Sequence, residues 1–197
     1  MKHLAVAACL LSSILGVRAQ MFEVSPFFGY RFGGSFHASN GEETALQDSR
    51  AYGLSFDYAP YASDIKLELF WSRQDSGLEL TSSSGVNHLD IKVDEFMLGG
   101  VYEHNWGRLY ETVTVLVGAT VFSPESADSD ARFGFSIGVG VKYFVLKNLA
   151  LRADLRGYGT VVESNTAFIS SGGVTLIYFS GSSIWQGEVS AGLSLTF

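Results

Sequence analysis

Alternation of apolar and polar residues with a period of two dominates the chain from residue 22 onward. It is clearest in residues 184–197, where one face of an extended chain would carry Trp185, Gly187, Val189, Ala191, Leu193, Leu195 and Phe197. Residues 132–144 repeat the pattern, with Phe133, Phe135, Ile137, Val139, Val141 and Tyr143 on one face. Side chains of a β-strand point alternately to opposite faces, and no long stretch with helical periodicity competes with this pattern. The chain is therefore predicted to be all-β.

The alternation predicts about eight strands. They fall at residues 22–36, 50–59, 64–75, 91–102, 109–121, 132–144, 149–160 and 184–197. Most are longer than the roughly 5–6 residues usual in soluble sheets. They match the about 9–11 residues that a tilted strand needs to cross a bilayer.

The connections between these strands alternate in length. Short ones are predicted at residues 60–63, 104–108 and 146–148, and long ones at 37–49, 76–90, 122–131 and 161–183. Short periplasmic turns and long extracellular loops are typical of antiparallel up-and-down barrels in bacterial outer membranes. Residues 174–179 are apolar enough for a further strand, so a hairpin above the barrel and a ten-stranded barrel both stay open.

The first 19 residues are typical of a cleaved secretory signal peptide. Lys2 precedes apolar runs at residues 4–11 and 14–17, and Ala19 offers a small residue for cleavage. The apolar stretch is shorter than the about 20 residues that a membrane-spanning helix needs. We therefore expect a signal peptide at residues 1–19 and one barrel domain at 20–197. Cys9, the only cysteine, lies in the signal, so the mature chain has no disulfide or cysteine metal site.

The charge balance argues against a nucleic-acid partner. The chain has 13 Lys and Arg against 20 Asp and Glu. Removal of Lys2 and Arg18 with the signal would leave 11 basic residues and a net charge of −9. Nucleic-acid-binding domains show the opposite balance, with basic residues clustered on one face.

Charged residues recur on one face of the predicted strands. This face carries six acids and six bases: Glu23, Arg31, Asp57, Lys66, Glu68, Glu95, Arg132, Lys142, Arg152, Asp154, Arg156 and Glu188. An Arg or Lys in the middle of a barrel's lipid face costs about 2–4 kcal/mol. The interior of an eight-stranded barrel is just wide enough for side chains to fill. We therefore predict that these residues point inward and form an ion-paired network that plugs the barrel.

The opposite face is aliphatic and aromatic. Its aromatic residues cluster near the short turns, at Tyr58, Tyr61, Tyr102, Trp106, Tyr110, Tyr143, Phe144 and Phe197, and near the long loops, at Trp71, Phe122, Phe133 and Trp185. Two aromatic belts around an apolar band are typical of proteins that span a bilayer. In a soluble, lipocalin-like barrel, which is the alternative, this band would be a large apolar patch facing water.

Three stretches resemble the small outer-membrane β-barrel family related to the OmpA transmembrane domain, also called porin-like or opacity-type barrels. Residues 26–32 resemble the family's first strand, residues 138–156 its sixth and seventh strands, and residues 190–197 its closing strand. The resemblance implies a location in the outer membrane of a Gram-negative-type bacterium, in contact with outer-membrane lipid and lipopolysaccharide. It also implies that the closing strand is recognised by the outer-membrane assembly machinery, here through Val189, Ala191, Leu193, Leu195 and Phe197.

No motif predicts catalysis, a cofactor or a metal site. Residues 134–138 match the G-x-S-x-G nucleophile elbow, but the alternation continues through Ser136 where the elbow requires a sharp strand-to-helix turn. His37, His88 and His104 fall in predicted loops or turns without partners at metal-ligand spacing. We therefore expect a structural or surface-interaction role. A lipid-modifying enzyme and a narrow porin-like channel are the alternatives.

Overall fold

The computed structural model describes residues 22–37, 43–60, 64–82, 85–125, 128–161, 167–169, 176–178 and 183–197, and apart from a 3₁₀ conformation at Pro60 the regular structure in them is β. The strands are β1 (Phe22–Gly33), β2 (Ser35–His37), β3 (Glu43–Ala45), β4 (Ser49–Tyr58), β5 (Ile65–Ser82), β6 (Gly85–Trp106), β7 (Leu109–Pro124), β8 (Asp130–Leu146), β9 (Leu149–Val161), β10 (Ala167–Ile169), β11 (Leu176–Tyr178) and β12 (Ser183–Thr196). Within these residues, no helix is long and apolar enough to cross a membrane.

Eight of the strands form one closed antiparallel barrel. Their order is β1-β12-β9-β8-β7-β6-β5-β4, and β4 pairs with β1 to complete the circle. The seam between β1 and β12 is completed by backbone hydrogen bonds between Phe22 and Phe197, at 2.8 and 3.4 Å. Closure leaves neither edge of the sheet unpaired. The predicted eight-stranded, up-and-down barrel is confirmed.

The ten-stranded alternative is excluded, because β10 and β11 pair with each other outside the barrel. Their pairing places Phe168 opposite Ile177 in a short hairpin of the last long connection. The hairpin interpretation of residues 174–179 therefore fits residues 176–178. The other three residues of that segment lie outside the described residues.

The two ends of the barrel differ, and we name them the short-turn end and the long-hairpin end. At the short-turn end a two-residue turn joins β6 to β7, with Trp106 opposite Leu109. Gly107 has φ of +83° there, and its N–H donates to Asn105 Oδ1 at 2.6 Å. Such tight hairpin turns need positive φ, which glycine adopts without a steric cost.

At the long-hairpin end the strands continue further than the sequence indicates. The pairing of β5 with β6 runs unbroken to Ser82 opposite Gly85, so most of the predicted loop at residues 76–90 is a protruding β-hairpin. Likewise β7 extends to Pro124 and β8 begins at Asp130. The thickness of the bilayer sets a minimum strand length, but backbone pairing can continue beyond it.

Alternate residues of each barrel strand point inward and are buried, while the outward residues expose an apolar surface. Phe28, Leu69 and Ile137 are each more than half exposed on this outer wall. The aromatic assignment was wrong for Phe122, which is 4% exposed and shares the inward face of β7 with Thr120. Tyr110 and Phe144 also occupy inward positions, and their rings pack edge-to-face at 5.1 Å near the short-turn end.

Candidate functional site in the barrel interior

The inward face of the barrel holds buried charges in three groups. We name the short-turn layer (Glu23, Lys66, Glu103 and Lys142), the middle layer (Asp57, Glu68, Arg152, Asp154 and Arg156) and the seam layer (Arg31, Glu95 and Glu188). Burying charges costs several kcal/mol per ion, so such residues persist only where partners compensate them.

The short-turn layer is a ring of two lysines and two glutamates. Lys142 Nζ lies 2.9 Å from both carboxylate oxygens of Glu23 and also binds Glu103. Lys66 Nζ lies 2.8 Å from Glu23 and 2.9 Å from Glu103. Each lysine therefore bridges both glutamates, and the ring is electrically neutral. A cavity of about 720 Å³ opens beneath it at the short-turn end, lined in part by Lys66, Glu103 and Tyr110.

The middle layer is organised by Arg152. Its guanidinium lies 2.7 Å from Asp154, 3.3 Å from Glu68 and 3.6 Å from Asp57. Arg156 binds the other oxygen of Glu68 at 3.1 Å, so the two arginines share this carboxylate. Two guanidinium groups thus face three carboxylates, and the 3.6 Å between Arg152 and Asp57 is longer than a hydrogen bond.

The seam layer joins the first and last strands. Arg31 and Glu188 are opposite each other in the β1–β12 pairing, and Arg31 Nε and Nη2 donate to Glu188 Oε2 at 2.9 and 2.8 Å. Nη2 also donates to Ser72, and Nη1 lies 3.6 Å from Glu95. Glu95 in turn accepts a hydrogen bond of 2.7 Å from Thr120.

An apolar cluster lies between the middle and seam layers. Phe70, Met97, Leu116 and Tyr158 are buried together, and the ring of Phe27 stacks on Phe70 at 5.4 Å. The guanidinium of Arg156 lies 4.2 Å from the Phe70 ring centroid, and that of Arg31 lies 4.2 Å from the Tyr158 centroid. These cation–π contacts connect the apolar cluster to the charged layers on either side.

The structure buries nine of the twelve charged residues that the sequence analysis assigned to the interior. Lys66 and Asp154 belong to the same layers but keep side-chain exposures of 13% and 9%. Arg132 instead binds Asp130 at 2.7 Å near the long-hairpin end, apart from the three layers. Glu103 was missed, because the predicted strand ended at residue 102. Glu103 lies an even number of residues from Glu95 and Val101 on β6, and this spacing could have identified it as an inward residue.

A second polar group, on the outside of the barrel, was also missed. Arg73 donates through Nε and Nη2 to the two carboxylate oxygens of Asp94 at 2.8 and 3.0 Å, and Trp71 Nε1 donates to Asp94 at 3.2 Å. Tyr52 packs edge-to-face on Trp71 at 6.1 Å. Together with Arg50 and Lys92, which are exposed nearby on the outward faces of β4 and β6, these residues form what we call the outer-wall cluster.

The residues proposed as an assembly signal lie along the outward face of β12. Val189, Leu193, Leu195 and Phe197 are 39–57% exposed there, and Ala191 lies exposed between them. All five side chains therefore belong to the apolar wall, while the backbone of β12 pairs with β1 and β9.

Ser136 and His104, two of the residues considered for chemistry, occupy structural positions. Ser136 is 1% exposed on the inward face of β8, which runs without a break through residues 134–138, so no nucleophile elbow forms there. The ring of His104 packs edge-to-face on Trp106 at 4.9 Å. In the part of the chain that the structure describes, no three His, Cys, Asp or Glu side chains are grouped to hold a metal ion.

Comparison with known proteins identifies the class. Residues 7–197 match the family model of the outer membrane protein beta-barrel domain. The chain therefore belongs to this outer-membrane β-barrel family, whose members lie in the outer membrane of Gram-negative bacteria. No curated protein sequence matches it.

Solved structures of outer-membrane barrels share the fold. Neisserial surface protein A is 17% identical, with a TM-score of 0.63 over 91% of this chain and 99% of that one. OprG from Pseudomonas aeruginosa is 11% identical, with a TM-score of 0.63 over 91% of this chain and 97% of that one. AlkL, determined in lipid bilayers, is 17% identical, with a TM-score of 0.51 over 90% of each chain.

Proposed function

We propose that the protein is a non-enzymatic structural or surface-interaction protein of the outer membrane, with an interior plugged by charge pairs. The observation that carries this proposal is the short-turn layer, in which two lysines and two glutamates bind one another across the barrel. An open pore would require these side chains to separate and leave charges uncompensated. The apolar cluster around Phe70 and the seam layer add two further levels of packed side chains.

The same proposal includes a route to the membrane. Residues 1–19 act as a cleaved signal peptide, and the outward face of β12 is recognised by the assembly machinery. The short turns then face the periplasm and the long hairpins face outward, where lipopolysaccharide is the surrounding lipid and the hairpins meet external partners.

Planar-bilayer recording of the purified full chain tests the plugged interior. We expect no steady conductance at protein loads where a porin of known conductance gives many channels. Steps of conductance from the wild-type barrel would favour the narrow-channel alternative. Removal of Lys142 and Glu23 together provides a positive control, since this double substitution dismantles half of the short-turn layer and should increase any ion leak.

Lipid analysis tests the alternative that the protein is a lipid-modifying enzyme. Lipopolysaccharide from cells with and without the protein is compared by mass spectrometry for its number of acyl chains. An identical acyl pattern is expected for a non-enzymatic barrel, whereas a pattern that depends on the protein would contradict the proposal.

A further inference from the structure

Charged side chains are distributed unevenly over the outer wall. On β1, β8, β9 and β12, the described outward positions carry no charged residue, and on β7 they carry only Glu111, which lies toward the short-turn end. Toward the long-hairpin end, the outward positions of β4, β5 and β6 carry Arg50, Arg73, Asp75, Asp90, Lys92 and Asp94. On one side of the barrel, a group of charged residues thus interrupts the apolar wall.

The strand register places these charges in adjacent rows. Tyr52 is opposite Arg73, and Arg73 is opposite Asp94. One row further toward the long-hairpin end, Asp75 is opposite Lys92, and Arg50 is two residues from Tyr52 on β4. On the next strand, Val121 is the partner of Asp94, so the charged group ends sharply at β7.

The aromatic side chains of the outer-wall cluster indicate its depth in the membrane. Trp71 is opposite Leu54, one row nearer the apolar band than Arg73, and Tyr52 shares the row of Arg73. Trp and Tyr are enriched where the hydrocarbon of a bilayer meets its headgroups. Charges immediately beyond them are therefore at headgroup level, where a charged side chain on a barrel costs only about 0–1 kcal/mol.

The row of Arg50, Asp75 and Lys92 has one more positive than negative charge. Asp94 is only 5% exposed, because Arg73 and Trp71 bind both of its oxygens, so its charge is covered and it holds the guanidinium in place. Arg50 and Lys92 are exposed, with Asp75 as the exposed acid between them. A recess of about 830 Å³ continues from Tyr52, Arg73 and Lys92 to the rim, where Asp90 and Glu125 line it. Asp75 lines the recess beside Lys92, whereas Asp90 and Glu125 lie further toward the solvent.

We propose that the outer-wall cluster binds a phosphate group of lipopolysaccharide in the outer leaflet. This inference rests on the proposed function, since it requires the long-hairpin end to lie in the outer leaflet. Arg50 and Lys92 supply exposed donors and positive charge for the phosphate, and Arg73 is oriented beside them by Asp94. Guanidinium and ammonium groups recognise phosphate oxygens by charge-assisted hydrogen bonds. The lipid's acyl chains would then lie against Trp71 and the apolar wall beneath it.

Native mass spectrometry of the folded full chain in detergent micelles tests this site. The protein is titrated with diphosphorylated lipid A, with the same lipid lacking its phosphates, and with phosphatidylglycerol. The test variant is Arg50→Ala with Lys92→Ala. The matched control is Arg108→Ala with Lys147→Ala, which removes the same two charges from exposed positions at the short-turn end. Heat-modifiable gel migration checks that every variant is folded.

We expect the test variant to bind diphosphorylated lipid A at least tenfold more weakly than wild type, and the control to bind it as wild type does. Dephosphorylated lipid A and phosphatidylglycerol should bind wild type at least tenfold more weakly. Unchanged binding by the test variant would overturn the site, as would an equal loss in the control. Equal binding of phosphatidylglycerol would overturn the assignment to lipopolysaccharide. Conductance of the same preparation is recorded separately, so failure of the plugged interior is distinguishable from failure of this site.

Discussion

Arg31 on β1 and Glu188 on β12 lie opposite each other across the barrel's seam, and two guanidinium nitrogens of Arg31 donate to one carboxylate oxygen of Glu188. Both side chains are completely buried. The closure of the barrel therefore coincides with one of its most buried ion pairs, although the two residues are 157 positions apart in sequence.

Replacement of Glu188 by Gln should destabilise the barrel strongly. The substitution leaves the buried Arg31 with only Glu95 as a charged partner, at 3.6 Å. Breaking a buried ion pair from one side costs about 3–5 kcal/mol, and we expect a loss in that range. Equilibrium urea unfolding in lipid vesicles, followed by tryptophan fluorescence, measures it. The control is Glu111→Gln at an exposed outer position, which should change the free energy of unfolding by less than about 0.5 kcal/mol. Equal effects of the two substitutions would contradict this role of the seam layer.

A double-mutant cycle on Lys142 and Glu103 should reveal coupling inside the short-turn layer. Lys142→Met leaves two glutamates with one lysine, and Glu103→Gln leaves two lysines with one glutamate, whereas the double variant keeps Lys66 with Glu23. The double variant should be more stable than the sum of the single losses predicts, by about 0.5–3 kcal/mol. As a control, Lys142→Met is combined with Glu188→Gln. These substitutions affect separate layers, so their losses in the free energy of unfolding should add within about 0.5 kcal/mol. Additive losses for Lys142 and Glu103 would show that the ring does not act as a unit.

Gly118 should tolerate no side chain, although Gly100 on the neighbouring strand should. A Cβ at Gly118 would lie 2.0 Å from the carbonyl oxygen of Phe96 and 2.7 Å from Met97 Cα, both of which are backbone atoms. A Cβ at Gly100 would meet nothing closer than 3.9 Å. Overpacking typically costs about 1–3 kcal/mol, so Gly118→Ala should lose at least that much in urea unfolding, with Gly100→Ala near wild type. If the two variants unfolded at the same urea concentration, the close approach of β6 and β7 at Gly118 would be refuted.

Phe197→Ala should separate assembly in the cell from stability of the finished barrel. The Phe197 side chain is 57% exposed on the outer wall, while its backbone pairs with Phe22. The protein refolded into vesicles in vitro should therefore unfold within about 1 kcal/mol of wild type, as expected for an exposed side chain. The amount of folded protein in outer-membrane fractions should fall several-fold if β12 is an assembly signal. Leu155→Ala, on the outward face of β9, is the control and should keep its abundance; loss of both would indicate a general effect of apolar wall residues.

The barrel was predictable because a period of two is hard to mistake over strands this long. The face of each charged residue was also readable where the strand was recognised, as for Arg31 and Glu68. The errors in assigning residues to the inward face arose at the ends of the predicted strands. Glu103 and Phe122 each lie one residue beyond a predicted boundary, so their inward parity went unused.

The outer-wall cluster shows a different limit. The sequence analysis expected charge on one face only, yet Arg73 and Asp94 lie on the outward face of β5 and β6. Alternation shows on which face of a strand a residue lies, but not at what depth in the membrane it lies. Charge is tolerated outside when it lies at headgroup level, and that level depends on a register between strands that no single strand reveals.

The seam between β1 and β12 also protects the protein from aggregation. Without the pairing of β1 with β12, the eight strands would form an open ribbon of sheet with two unpaired edges. Such edges can pair with any other extended chain, including a second copy of the same ribbon. β12 is the last of the eight barrel strands in chain order, so the seam can form only after the other seven strands have been synthesised. Closure of the seam therefore removes both edges at which the protein could aggregate.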